Sequence, residues 1–193
     1  MQKNSKPSDR LVRIIEEFPK LTITVLGDLI ADEFIYGEIA RVSREAPVLI
    51  LRHRDRTVVP GGAGNAIYNL ADLGVTVLPV GVIGDDEPGR LLLHAFRQKH
   101  ISISGIRRIK GRNTVTKTRV LAGMTHSTRQ QVIRVDREPD SSLDNAATRE
   151  LIFQTRGYVR ASDALLLSDY GYGAATPDIF DRIRVRASLN SIP

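Results

Sequence analysis

No stretch constrains this chain more than Pro60-Gly61-Gly62-Ala63-Gly64-Asn65, which runs directly into Ala66-Ile67-Tyr68-Asn69-Leu70-Ala71-Asp72-Leu73-Gly74. Its first half is nearly free of side chains and its second half is periodic. Ala66, Ile67, Leu70, Ala71 and Leu73 fall on one helical face. Asn65 is placed to cap the start, and Gly74 to close the end in a left-handed turn. A glycine run feeding a helix lets backbone approach a ligand closely and leaves unpaired N–H groups at the positive end of the helix dipole. Such a corner suits polyols, phosphates and carboxylates. No Gly-Lys-Ser/Thr follows, so this is not a Walker loop, and the spacing is not Gly-x-Gly-x-x-Gly. On spacing alone, a tight strand-to-helix turn with no ligand fits equally well.

The flanking signals have the rhythm of a parallel sheet. Residues 8–18 read as an amphipathic helix with Leu11, Ile14, Ile15 and Phe18 on one face, capped by Ser8 and stopped at Pro19. Leu21 to Leu26 is a strand signal that ends at Gly27-Asp28. Val75 to Val82 is another, in which Pro79 suggests an edge or a bulge. Asp85, Asp86 and Glu87 suit the first turn of the helix that Leu92, Ala95 and Phe96 continue. Leu143 to Arg156 reads as a helix, Ser162 to Ser168 as a buried strand, and Thr176 to Arg186 as a last helix. The expected class is α/β with a mainly parallel central sheet.

Two intervals break the rhythm. Phe34-Ile35-Tyr36 and Val48-Leu49-Ile50-Leu51 have no helix between them, so antiparallel pairing is expected, as an excursion from the main sheet. Ile101 to Ile103, Thr114 to Leu121 and Gln130 to Val135 read as further strands. Lys117 and Arg119 share one face of the middle strand, where either solvent or an anion can meet them.

With 193 residues, 41% hydrophobic and 26% charged, the chain fits one domain with a substantial core. The absence of cysteine excludes a disulfide framework, a thiol nucleophile and a zinc-thiolate site. His53, His94, His100 and His126 lack metal-ligand spacing, so no metal site is expected. No apolar run has membrane-span length and the first residues lack a signal peptide's apolar core, so no membrane contact is expected and the cytoplasm is the default location. The net charge of +6 is scattered, and aromatics make up only 5%, which argues against nucleic acid and leaves a solvated basic surface or an anionic small substrate. One coincidence of placement stands out. Asp28 and Asp169 each follow the carboxyl end of a strand, where open α/β sheets bind ligands, and the glycine-led helix start can join them at one crevice.

Taken together, Gly61-Gly62-Ala63-Gly64-Asn65, Gly74 and Gly84 resemble the first signature of the ribokinase-like, phosphofructokinase-B-type carbohydrate kinases, although Ile67 stands where a small residue is usual. Gly27-Asp28, Tyr36-Gly37, Arg41-Val42-Ser43-Arg44-Glu45-Ala46-Pro47-Val48, Thr116-Lys117-Thr118-Arg119-Val120 and Gln130-Gln131-Val132-Ile133-Arg134-Val135-Asp136 resemble the D-glycero-β-D-manno-heptose 7-phosphate kinase branch. So does Asp169-Tyr170-Gly171-Tyr172-Gly173, with Tyr172 in place of the branch's usual lysine. The resemblance covers the chain from about Leu11 onward. It implies a ribokinase-like three-layer fold with a small β-sheet lid from segments near 34–58 and 111–136, after an N-terminal helix over 1–20.

It also implies transfer of the γ-phosphoryl of ATP, with Mg²⁺, to a sugar or sugar-phosphate hydroxyl. Asp28, Gly61, Gly62, Asn65 and Asp169 would bind the sugar, Arg119 or Arg134 would hold a sugar phosphate, and the lid would pair in a homodimer. The family's late Gly-Ala-Gly-Asp motif, which carries the general base, is absent from these residues. The expectation is therefore an N-terminal portion of a sugar kinase, truncated, with no catalytic residue, little of the nucleotide pocket, and no activity of its own. The alternative is a catalytically inactive sugar-binding or oligomerising remnant.

Overall fold

Val25 and Leu26 are consecutive and both fully buried, yet each belongs to a different apolar cluster. Side chains alternate across a strand, so the sheet that holds them is covered on both faces. The computed structural model describes residues 7–123 and 128–189, which leaves His126 outside. In chain order the elements are α1 (Pro7–Glu17), β1 (Thr22–Gly27), β2 (Leu29–Val42), β3 (Leu49–Gly62) and α2 (Ala63–Asp72). Then come β4 (Thr76–Gly84), α3 (Glu87–Gln98), β5 (Ile106–Ile109), β6 (Val115–Gly123), β7 (Gln130–Arg137), α4 (Asn145–Val159), β8 (Ala164–Ser168) and α5 (Pro177–Leu189).

The first sheet has the order β5-β4-β1-β8 and is parallel throughout. Ala63 and Ile67 of α2 and Leu92, Leu93 and Phe96 of α3 pack on one face against Val25, Val77 and Ile83. Leu151 and Ile152 of α4 and Ile179 and Ile183 of α5 pack on the other, against Leu26 and Val80. Each fully buried aliphatic side chain contributes about 2 kcal/mol of transfer free energy, so both helix layers are firmly seated. The second sheet has the order β3-β2-β6-β7. Its β2–β3 and β6–β7 pairs are antiparallel and its β2–β6 pair is parallel. This is the three-layer α/β arrangement with a second, smaller sheet that the resemblance implies.

The excursion is larger than its apolar pieces suggest. β2 and β3 pair from Leu29 with Gly62 to Val42 with Leu49, so the glycine run is the end of a long strand. Charged residues fill both strands because the sheet stands away from the main core. Pro79 lies in β4 with β1 on one side. Gly81 donates to Gly105 on the β5 side, and Pro79, two residues earlier, turns its missing N–H the same way, before β5 begins.

Four local expectations give way. Gly62, at φ 56°, is the N-cap of α2, and Asn65 lies inside the first turn with no capping role. Leu73 is exposed, beyond the last turn that packs. Ile101 to Ile103 form no strand; Ile101 instead inserts into the α2–α3 core and the strand comes at β5. β8 is only half-buried because, among the described residues, its outer edge has no neighbour. Gly74, at φ 86°, does close α2. α1 leaves Leu11, Val12, Ile14 and Ile15 between 45% and 60% exposed, so its apolar face is uncovered by the described residues.

Candidate functional site

Three chain segments meet beyond the carboxyl end of β1, and Asp28 is where they join. Its N–H donates to the Ser168 carbonyl at 3.1 Å, and its carbonyl accepts from Ala63, the first residue of α2, at 3.0 Å. Asp28 is 3% exposed. Its carboxylate accepts from the amides of Tyr170 at 2.8 Å, Tyr172 at 3.1 Å and Ala174 at 2.9 Å. A buried carboxylate that collects backbone amides in this way fixes a loop, and here it fixes the turn after β8. The void beside it, lined by Asp28, Arg112, Asn113, Leu143, Tyr172 and others, is ≈ 10 Å³. That is room for about one water and not for a sugar ring. Asp169 is exposed, and its carboxylate turns back to the Gly171 amide at 2.8 Å.

Gly62 and Gly61 bring this rim against the second sheet. A Cβ on Gly62 would stand 2.6 Å from the Asp28 carbonyl, so only glycine combines this φ with this approach. A Cβ on Gly61 would lie 2.1 Å from Asp32 Oδ2, which puts the Asp32 carboxylate directly on the glycine backbone. Asn65 is exposed one turn further along α2.

The register of the second sheet sorts its side chains onto two faces. Asp32, Phe34 and Tyr36 of β2 share the front face with Lys117 and Arg119 of β6 and Arg134 and Asp136 of β7. Arg119 donates to Asp32 at 2.5 Å, and Arg134 pairs with Asp136 at 2.9 Å. Arg119 also lies 5.4 Å from the Phe34 ring centroid, and the Lys117 ammonium lies 5.8 Å from that of Tyr172. The Tyr172 hydroxyl donates to Glu138, and burial followed by this bond raises its pKa. Tyr172 comes from the loop that Asp28 fixes, so the front face looks onto the rim.

The back face grips α3. Glu33, 8% exposed, accepts from Arg56 at 2.5 Å and from the Thr118 hydroxyl, and Arg56 also donates to Glu87 at 2.8 Å. The bonds to Glu87 and then Glu33 push the Arg56 pKa up, and Arg56 holds Glu87 below the ordinary carboxylate value. Asp86 caps α3 through Gly89 and also accepts from the Thr114 amide at 2.9 Å and hydroxyl at 2.5 Å. Burial raises the Asp86 pKa, but these bonds outweigh it and the net shift is downward. Arg112 ties the loop after β8 to the segment before α4 by donating to the carbonyls of Ser141 at 2.8 Å and Tyr172 at 3.3 Å. Burial lowers its pKa against the opposing pull of Asp28.

The structure thus brings Asp28, Gly61, Gly62, Asn65 and Asp169 to one rim, and it places Arg119 and Arg134 as cross-strand partners on the sheet above. Sequence reasoning missed Asp32, Arg112 and the Glu33–Arg56–Glu87 network. Asp32 carried a usable signal: it lies four residues after Asp28 and alternates with Ile30 and Phe34 along one strand face. Among the described residues no three His, Asp or Glu side chains gather in a way that would hold a metal ion.

The sequence pattern of pfkB family carbohydrate kinases matches residues 22–181. This chain belongs to that family. As a pfkB family member it is 38% identical over 174 residues to the bifunctional protein HldE of Mesorhizobium japonicum, which spans 90% of this chain and 34% of that protein. It is 40% identical over 162 residues to HldE of Wolinella succinogenes, spanning 84% and 33%. The chain therefore covers about a third of the length of these curated relatives. Among solved structures it is similar to a carbohydrate kinase from Agrobacterium tumefaciens, at TM-score 0.58 and 25% identity, over 90% of this chain and 52% of that one. Arabidopsis thaliana ribokinase, solved with ribose and ATP, shares the fold at TM-score 0.55 and 15% identity, over 90% and 51%. No described helix is long and apolar enough to cross a membrane.

Proposed function

We propose that the rim and the second sheet form the sugar-binding part of an ATP-dependent kinase of the heptose 7-phosphate type, with the second sheet as its lid. The observation that supports this best is the apposition of Asp32 on Gly61, beside the bare start of α2 and under the charged front face of the sheet. A carboxylate accepts from sugar hydroxyls and helix-start amides donate to their oxygens, so the pair reads a diol. In this proposal Asp32, Gly61, Gly62 and Asn65 contact hydroxyls. Asp28 and the Asp169 turn shape the floor, since the Asp28 carboxylate already serves three amides. Arg119 and Arg134 flank the end of the substrate that carries charge. Lid closure excludes water from the phosphoryl acceptor.

ATP, with Mg²⁺, would supply the phosphoryl group. No residue of these 193 is assigned to the nucleotide or to the general base, since Gly-Ala-Gly-Asp does not occur in them. In this proposal the chain by itself binds sugar without turnover. A homodimer through the lid belongs to the same proposal. β7 is exposed along its whole length, including Val132, Ile133 and Val135, and an edge of that kind is covered when a second copy pairs with it. Calorimetric titration with mannose tests the sugar site. Asp32→Asn is expected to weaken binding about tenfold, and equal affinity in the two proteins would contradict the assignment.

A further inference from the structure

We infer that Lys117, rather than Arg119 or Arg134, reads a phosphomonoester on the sugar and sets a preference for phosphorylated over plain sugar. This rests on the cradle reading given above. Across the front face, Asp32, Lys117 and Asp136 stand in one register row and Arg119 stands opposite Arg134. Both arginines are occupied, Arg119 by Asp32 and Arg134 by Asp136. An arginine locked to a carboxylate offers little net charge to an incoming anion. Lys117 lies between the same two carboxylates in register, yet among the described residues it forms an ion pair with neither. The three cations and two carboxylates of this set leave one positive charge, and it resides on Lys117.

Direction matters as much as charge. The half-buried Lys117 leans over the ring of Tyr172, which belongs to the loop fixed by Asp28. Its ammonium therefore points into the gap between lid and rim. A neutral polyol makes no use of a full charge there, whereas a phosphate dianion does. A cation–π contact at a partly exposed site is weaker than a charge-assisted bond, so the ammonium is readily given up to phosphate. Lysine acts as a compact point charge with three donors, which suits a tetrahedral phosphate approached from one side.

The test is calorimetric titration of the 193-residue chain with mannose, mannose 6-phosphate and inorganic phosphate, repeated on Lys117→Met, Lys117→Gln and Lys117→Arg. The wild-type chain is expected to bind mannose 6-phosphate about tenfold more tightly than mannose or inorganic phosphate. Lys117→Met and Lys117→Gln should bring the two mannose forms together without changing mannose affinity. Lys117→Arg should keep most of the difference. Thermal melts of each variant establish folding, and either neutral variant suffices if the other fails to fold. A preference that survives in the neutral variants overturns the assignment to Lys117. So does inorganic phosphate binding as tightly as the sugar phosphate. A wild-type chain that binds neither form of mannose overturns the cradle reading, and this inference with it.

Discussion

Asp28 shows how one residue at a strand end can look like a ligand contact and act as a brace. Its position just past β1 was legible from Gly27-Asp28, because a strand signal stops there. Its partners were not legible, because they are main-chain amides of Tyr170, Tyr172 and Ala174, more than 140 residues away. Asp32 is the converse case. It sits inside a long strand where its spacing from Ile30 and Phe34 marks its face, but only the register with Lys117 and the approach to Gly61 show what that face meets. If Asp28 is the brace, Asp28→Asn replaces one amide acceptor by a donor and leaves a buried amide without a partner. The expected loss of stability is about 2 kcal/mol or more, with faster amide exchange at Tyr170, Tyr172 and Ala174. Hydrogen exchange that stays slow at all three would show that the loop holds itself.

Among the elements, α3 does more than cover the parallel sheet. Its first turn carries Asp86, which grips the start of β6 through Thr114, and Glu87, which reaches β3 and β2 through Arg56 and Glu33. The helix start was readable from Asp85-Asp86-Glu87-Pro88, since acidic residues and proline favour a first turn. The second use of those carboxylates depends on a neighbouring sheet whose long strands were visible only as short apolar fragments. Because the folded-state pKa of Asp86 lies below its ordinary value, its contribution is fully present above about pH 4 and is lost as pH falls through the lowered value. Asp86→Asn is therefore expected to flatten the fall in urea midpoint between pH 6 and about pH 3. An unchanged pH profile would place the acid sensitivity elsewhere. By the same logic the strand order was half readable. The βαβ rhythm announces β1, α2 and β4, whereas β5 is too short and too charged to declare itself.

For the whole molecule, one architectural fact carries the functional proposal: the two sheets are joined at the Asp28–Leu29 and Gly62–Ala63 corners, so the front face of one hangs over the carboxyl rim of the other. The class of fold follows from periodicity, glycine placement and the absence of any helix between Phe34 and Val58. The facing of the two sheets does not, because it is decided by the backs of strands meeting α3. The most direct test is an amide-resolved NMR titration of the chain with mannose 6-phosphate. Saturable shifts should concentrate at Asp32, Gly61, Gly62, Asn65 and Lys117, with the α4–α5 side of the sheet unmoved. Shifts confined to that far side, or none at saturating sugar phosphate, would contradict a sugar cradle at this rim.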